Sequence, residues 1–306
     1  MTLDDSPQVY DLCDRYQRAV MDRRMPISYD QFVSELSVPG RVLDVDETLV
    51  HLDGRLVGSG SVWAMAPYTE ISLYISADQT LPPTTGAAVR QLLVDALATS
   101  AAHHTRGLDD TAPRHAVVQV PERDELTQEV ARSNGFAFER QLLLMAIDQT
   151  TTDVPEPRWP AGITVRPLTT DDGALVGELV RDAFSEHAGD NQFDDDAMSH
   201  FLSKPGSRLD LSLLAADDEG PVGMILCEQR PTEGFVTLLG VRRRARGLGL
   251  GTALLRQAFR GFAADGVTLV RLAVEQENTT GAVGVYEGAG MRRRHALQMW
   301  TRPLVG

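Results

Sequence analysis

Three glycines alternate with leucines in Arg246-Gly247-Leu248-Gly249-Leu250-Gly251, and Arg242, Arg243 and Arg244 come just before them. The preceding "FVTLLGV" alternates and is rich in β-formers, which predicts a strand. The following "LGTALLRQAFRGF" is apolar at three- and four-residue spacing, which predicts a helix. The glycines therefore fall where a strand gives way to a helix. The first amides of that helix lack partners and carry a partial positive charge. Bare backbone lets an anion such as a diphosphate approach those amides closely, and the arginines add attraction. A purely structural turn needs one glycine there, not three. A nucleoside-triphosphate loop requires Gly-Lys-Ser/Thr, and no lysine is present in this stretch. A dinucleotide loop requires a third small residue where Thr252 stands. Glu275 does lie where such folds place a ribose-binding acid, but here several strands precede the loop.

A third pattern covers more of the chain. Arg246 to Gly251 matches [Q/R]-x-x-G-x-[G/A]. Downstream, "LAVEQENTTGAVGVYEGAGM" places Leu272, Val274, Asn278, Tyr286, Gly290 and Met291 in a further ordered pattern, with Gly281 where alanine is usual. Together these resemble the GNAT-type N-acetyltransferases, over roughly Ile163 to Leu304. The resemblance implies acetyl-CoA as cosubstrate and direct transfer of its acyl group, in a ternary complex, to the amine of a small acceptor. It implies that the amides of Gly247, Leu248, Gly249, Leu250, Gly251 and Thr252, with Arg246, hold the pyrophosphate. It places the backbone of Leu239, Gly240 and Val241 against the pantetheine arm. Asn278 either bonds that arm or caps the next helix. Tyr286 is the expected general acid for the departing thiolate, because a phenol near pKa ~10 can share a proton with a thiol near ~8.5. Gly240 is the expected site of a bulge that splays its strand from Thr268–Val274.

The general base is less defined. Where many members of that family carry a glutamate, this chain has Phe235. Counting by twos puts Glu233, Phe235, Thr237 and Leu239 on one strand face, so Glu233 is the candidate base, acting through water. The alternative for Glu233 is a solvated turn carboxylate; Glu275 and Glu228 are weaker candidates. Glu186, Asp190, Asp194, Asp195 and Asp196 would favour a cationic amine if they lie near the acceptor mouth, or else they are helix-start acids on a solvated loop. His187 and His200 lack metal-ligand spacing, and no metal site is expected. A catalytically silent CoA-binding regulator or scaffold, and more distantly a nicotinamide-dependent dehydrogenase, are the competing functions.

The elements that must position these residues occur twice. "DGRLVGSGSVWAM" and "DEGPVGMILCEQ" both read as a turn and a strand. "AAVRQLLVDAL" and "GTALLRQAFRGF" both read as amphipathic helices, and both halves later close a helix on glycine before a strand. Gly58 with Gly223, Leu92 with Leu254, and Gly135 with Gly290 align at nearly constant offsets. The expected fold is α/β: two tandem GNAT-like domains, each a mixed, mostly antiparallel sheet flanked by helices, with the first copy degenerate. The expected boundaries are 1–150, a Thr- and Pro-rich linker at 151–161, and 162–306. In the second half, strands are predicted at Ile163–Arg166, Leu209–Ala216, Val222–Gln229, Phe235–Val241, Thr268–Val274 and Arg293–Thr301. Helices are predicted at Asp172–Ser185, Asp194–Leu202, Leu250–Ala264 and Thr280–Gly288. In the first half the loop counterpart, "SADQTLPPTTGAAVRQLL", has one glycine and two prolines, and the tyrosine has no counterpart. That half is therefore not expected to turn over acetyl-CoA. The tandem layout with the intact site second is similar to the mycothiol-synthase branch of the family.

Bulk properties bound the rest. The 306 residues carry a formal net charge of −14, which argues against nucleic acid as the main partner and is compatible with a cationic substrate. No stretch approaches the ~20 apolar residues of a membrane span, and the acidic N-terminus is unlike a signal peptide. Cys13 and Cys227 are far apart and read as reduced thiols, which points to the cytoplasm. A monomer or a homodimer is expected.

Overall fold

The computed structural model describes residues 1–23, 25–37, 41–64, 68–108, 113–184, 195–276 and 281–304. The first half runs α1 (Ser6–Met21), α2 (Tyr29–Leu36), the single turn α3 (Leu43–Asp46), β1 (Glu47–Leu52), β2 (Arg55–Ala64), β3 (Glu70–Ala77), α4 (Pro83–Thr105), β4 (His115–Pro121), α5 (Glu125–Ser133) and β5 (Ala137–Asp148). The second half runs β6 (Thr164–Pro167), α6 (Gly173–Ala183), α7 (Asp195–Ser203), β7 (Leu213–Asp217), β8 (Gly220–Gln229), β9 (Gly234–Val241), α8 (Leu250–Ala264), β10 (Leu269–Glu275), α9 (Ala282–Gly288) and β11 (Arg292–Pro303). Most expected elements are present within a residue or two. β7 starts four residues later than its sequence suggests, because Leu211 and Ser212 both donate their amides to the Arg208 carbonyl and form a turn.

The chain divides into two units: Met1–Leu143 with Glu275–Glu277 and His295–Gly306, and Leu144–Val274 with Asn278–Arg294. This differs from a cut through the linker. β11 pairs with β4 from Leu297↔Pro121 to Pro303↔His115, so the last strand of the chain completes the first unit. The first unit's sheet order is β1-β2-β3-β4-β11, and the second's is β5-β10-β9-β8-β7-β6, with only Leu144–Asp148 of β5 belonging to it. Each is mixed. β1, β2 and β3 pair antiparallel and β3 pairs parallel with β4. β6 to β9 pair antiparallel and β9 pairs parallel with β10.

Local sequence explains the helix starts. Ser28 and Gln31 form a reciprocal box at α2, with the Gln31 amide on Ser28 Oγ at 3.2 Å and the Ser28 amide on Gln31 Oε1 at 2.8 Å. At α6, Asp172 accepts from the Thr169 amide and from both terminal nitrogens of Arg166 on β6. The Arg166 hydrogen bonds lead the causes that hold the Asp172 carboxyl well below the usual carboxylate range.

In the first unit, Val57, Val62, Ile71, Leu73 and Ile75 of β2 and β3 pack on Val89, Leu93 and Leu97 of α4. A buried polar network joins three helices. Arg90 of α4 donates to Thr127 Oγ1 at 2.7 Å and to Asp124 at 3.2 Å, and Tyr16 Oη of α1 donates to the same carboxylate at 2.8 Å. In the second unit, Leu179, Val180, Met198 and Leu202 of α6 and α7 cover Leu214, Met224 and Leu226 on one sheet face. α8 covers the other, with Leu254, Phe259 and Phe262 fully buried. Both cysteines are free, and burial pushes the Cys227 thiol far above its ordinary value. No described helix is long and apolar enough to cross a membrane.

Arg90 is 1% exposed, so Arg90→Met leaves the Asp124 carboxylate buried without its cation. That change is expected to destabilise the first unit by about 3–5 kcal/mol, measured as a shift in the urea unfolding curve.

Candidate functional site

β9 is irregular in a way its alternation does not reveal. Leu226 on β8 faces Leu238, but its neighbour Cys227 faces Val236, so Thr237 is an extra residue. A bulge of one residue moves every later side chain to the opposite face. The two strand glycines mark the change: a Cβ at Gly234 would sit 2.8 Å from the Phe262 ring of α8, whereas one at Gly240 would sit 3.2 Å from Ala183 Cβ of α6. The expectation that Glu233, Phe235, Thr237 and Leu239 share a face is therefore incorrect. The bulge also lies at Thr237, not at Gly240, which pairs regularly with Met224.

The expected splaying is present. β9 and β10 pair only at Gly234↔Val270 and Phe235↔Arg271, after which the two strands carry no further ladder. The Arg242 amide donates to the Val222 carbonyl. By antiparallel alternation, the backbone groups of Gly240 then face β8, and those of Leu239 and Val241 face the open side. The cleft of about 230 Å³ that results is lined by Leu239, Gly240 and Val241 from β9, and by Gly251, Thr252 and Tyr286 from the helices.

The glycine turn forms one end of this cleft. Gly247 and Gly249 sit at φ +76° and +83°, which side-chain-bearing residues rarely adopt. Gly249 is the N-cap of α8 and supplies no capping side chain. The first helical bond there runs from the Ala253 amide to the Gly249 carbonyl, and none of the amides from Gly247 to Thr252 has an acceptor among the described residues. Gly251 has a different role: a Cβ there would meet Val285 Cγ1 of α9 at 3.4 Å, so its bareness lets the two helices approach. Leu250 is 1% exposed and anchors the turn, while Leu248 is 60% exposed.

The arginines divide into two groups. Arg242 pairs with Glu178 and Asp182, and Arg244 with Asp217 and Glu219, so local carboxylates offset their charge. Arg246 instead donates Nε to the Val241 carbonyl at 3.1 Å and a terminal nitrogen to the Ala183 carbonyl at 2.9 Å. It ties the end of β9 to the C-terminus of α6, where a cation suits the helix dipole. Sequence reasoning had no signal for this clamp, nor for Ala183 and Phe184 as cleft residues.

Tyr286 is held from behind. Its carbonyl accepts from the Met291 amide, and that of Glu287 accepts from Gly290, the two bonds of a Schellman closure. Its side chain is 9% exposed, and its hydroxyl makes no hydrogen bond to a described residue. Burial pushes its pKa up to about 12.

Glu233 is elsewhere. It is 3% exposed, not solvated, and accepts from Arg271 Nε at 2.6 Å at the far end of β9, away from the cleft-lining residues. Glu228 is bound to Lys204 at 3.0 Å and Glu275 to Arg140 at 3.4 Å. Among the described lining residues no carboxylate is present. Asn278, Glu186, His187, Asp190 and Asp194 lie outside the described residues, as do the side chains of Asp195, Asp196 and His200. No metal-ligating cluster occurs among the described residues.

Residues 174–291 match the Acetyltransferase (GNAT) family. A mycothiol acetyltransferase of Frankia casuarinae is 28% identical over 200 residues, covering 60% of this chain and 58% of the relative. The chain spans 53 to 60% of the length of the curated relatives it matches. Two solved structures share the fold. A GCN5-related N-acetyltransferase from Sphaerobacter thermophilus has a TM-score of 0.83 at 24% identity, covering 99% of this chain and 94% of that one. A tandem GNAT protein from the clavulanic acid biosynthesis pathway has a TM-score of 0.73 at 18% identity, covering 98% and 95%.

Because the raised pKa of Tyr286 favours its neutral form in the folded state, its contribution to stability is complete below about pH 10 and is lost as pH rises towards 12. Ultraviolet titration of tyrosinate in the native protein and in Tyr286→Phe is expected to differ only above about pH 11.

Proposed function

We propose, for a chain whose residues 174–291 match the Acetyltransferase (GNAT) family, that the second unit transfers an acetyl group from acetyl-CoA to the amine of a small acceptor. The observation that carries the reading is the row of amides from Gly247 to Thr252, unpartnered among the described residues, beside an open strand edge. Such a row suits a diphosphate, and the outward-facing backbone of Leu239 and Val241 suits an amide-bearing arm. Arg246, bound to the Val241 and Ala183 carbonyls, holds both features in register. Asn278 is assigned to the same arm by the sequence pattern alone.

Tyr286 acts on the leaving sulfur. With a pKa of about 12 against a thiol near ~8.5, complete proton transfer from the tyrosine is uphill by about 5 kcal/mol. Its role is therefore to donate a hydrogen bond as negative charge develops on sulfur, and final protonation comes from solvent. Glu233, fixed to Arg271, is not assigned as the base. The acceptor arrives as the neutral amine, and its proton leaves to water.

The N-terminal unit is assigned no turnover. The Asp78 carboxylate accepts from the Thr80 amide and hydroxyl, so this loop already holds an anion of its own. Pro82 and Pro83 stand at the helix start, where they offer no N–H. One acetyl-CoA per chain is the consequence.

A second reading, a CoA-binding regulator without turnover, is favoured by the absence of a carboxylate among the described cleft residues. Thiol release from acetyl-CoA with a panel of amines separates the two. The panel begins with a mycothiol-type acceptor, since the curated relatives carry that name. Turnover supports the transferase; tight binding without thiol release from any amine supports the regulator. Calorimetry is expected to give one acetyl-CoA site, weakened by about 100-fold or more in Gly249→Glu, which places a carboxylate among the amides. Tyr286→Phe, which removes one hydrogen-bond donor to the developing thiolate, is expected to lower kcat by about 10²–10³-fold with little change in acetyl-CoA affinity. With no protein base, the rising limb of kcat/KM against pH is expected to move with the pKa of each acceptor amine.

A further inference from the structure

The first unit is hollow where the second is filled. In β2, a Cβ at Gly58 would lie 2.6 Å from Val89 Cγ1, and one at Gly60 would lie 3.0 Å from Leu97 Cδ1, so these positions face α4. Ser59, Ser61 and Trp63 therefore face the other way. Directly opposite them, Ser76 pairs with Ser59, Tyr74 with Ser61, and Glu47 of β1 with Ser61 from its other side. This hydroxyl-bearing face bounds a cavity of about 460 Å³, within the range of small-molecule sites. The aligned strand of the second unit, β8, carries Met224 and Leu226 at the places of Ser59 and Ser61, and these are packed solid against α6 and α7. A core has no use for serines on a buried face; a ligand with oxygens does.

The polar wall is built and incompletely satisfied. Arg41, its side chain 8% exposed, pairs with Glu47 and donates to Ser61 Oγ at 2.6 Å, and Ser61 in turn donates to Glu47 at 2.7 Å. The guanidinium lies 5.1 Å from the centre of the Trp63 ring. Its Nε is buried with no partner among the described residues. The facing wall, from α1, α2 and the chain between them, sets Met21, Met25, Ile27, Phe32 and Leu36 beside Gln17, Arg23 and Glu35. The charged lining residues are two arginines, Arg23 and Arg41, and two glutamates, Glu35 and Glu47, so the wall is neutral overall. Cys13 also lines the cavity, but burial pushes its thiol up to about 11, which removes it as a nucleophile.

We propose that the N-terminal unit is a binding module for a small uncharged molecule with an apolar body and amide or hydroxyl oxygens along one edge. One oxygen accepts from Arg41 Nε, and the others meet the serine hydroxyls. A net charge on the ligand is opposed by a lining whose charges already balance, Arg23 and Arg41 against Glu35 and Glu47, so it would be desolvated with no net counter-charge.

Three compounds of one shape test this: N-acetyl-L-tyrosinamide, which is neutral; L-tyrosinamide, a cation; and N-acetyl-L-tyrosine, an anion. Calorimetry on the full chain is expected to show the neutral compound binding once per chain, about tenfold or more tighter than either relative. The double variant Ser59→Leu/Ser76→Val gives the face the character of β8 and is expected to abolish that binding while acetyl-CoA affinity and the unfolding midpoint stay unchanged. Ile27→Trp, which fills the cavity from its loop side, provides the same test if the double variant fails to fold. Absence of binding by the neutral compound at millimolar concentration, equal binding by a charged one, or binding that survives both variants would overturn the proposal.

Discussion

Six consecutive peptide N–H groups without acceptors among the described residues, from Gly247 to Thr252, are the constraint to which the second unit is fitted. An amide buried without a partner costs about 1–3 kcal/mol, so a run of them persists only where solvent or a ligand reaches it. Two backbone positions at positive φ keep the run turned outward, and Leu250, buried just inside the helix, fixes it to the sheet. Arg246 secures the same turn from the other side by binding the carbonyl ends of β9 and α6. The run would be of little use beside a closed sheet. It opens onto a cleft because β9 and β10 separate after two paired residues, leaving the edge at Leu239 and Val241 exposed.

The same architecture serves a different chemistry in the first unit. There β3 and β4 stay paired from Glu70↔His115 to Leu73↔Val118 before they part, and the loop that follows β3 satisfies itself through Asp78. The buried Arg90–Asp124–Tyr16 network occupies the helix junction beside it. A loop that holds its own carboxylate has little attraction for an external diphosphate. What remains open is the opposite sheet face, where serines replace the apolar side chains of the second unit. The first unit thus lacks the glycine turn of the second and keeps a cavity walled by serines on its other sheet face.

The parts of the site that depend on local rules were legible from residue types. Alternating glycines ahead of an amphipathic helix predict unpaired amides, and the helix spans Leu250–Ala264 as its periodicity indicates. Gly290 predicts the closure that holds Tyr286. Glu233 was not legible. Its distance from the cleft follows from strand direction, its burial from Arg271 on a neighbouring strand, and its face from a bulge between them. Nothing in "GFVTLLGV" distinguishes Thr237 as the extra residue, because the bulge is defined only against β8.

The sequence by itself determined the two-copy layout, the element order, the glycine turn ahead of α8 and its absence from the first copy, because each rests on periodicity or on the intrinsic freedom of glycine and proline. Tertiary structure alone decided which unit β11 completes, which carboxylates Arg242 and Arg244 meet, how far Tyr286 is desolvated, and that the first unit is hollow. These depend on distances between residues remote in sequence. Desolvation, ion pairing and strand register are set by neighbours that fold brings together, so no window of local sequence contains them.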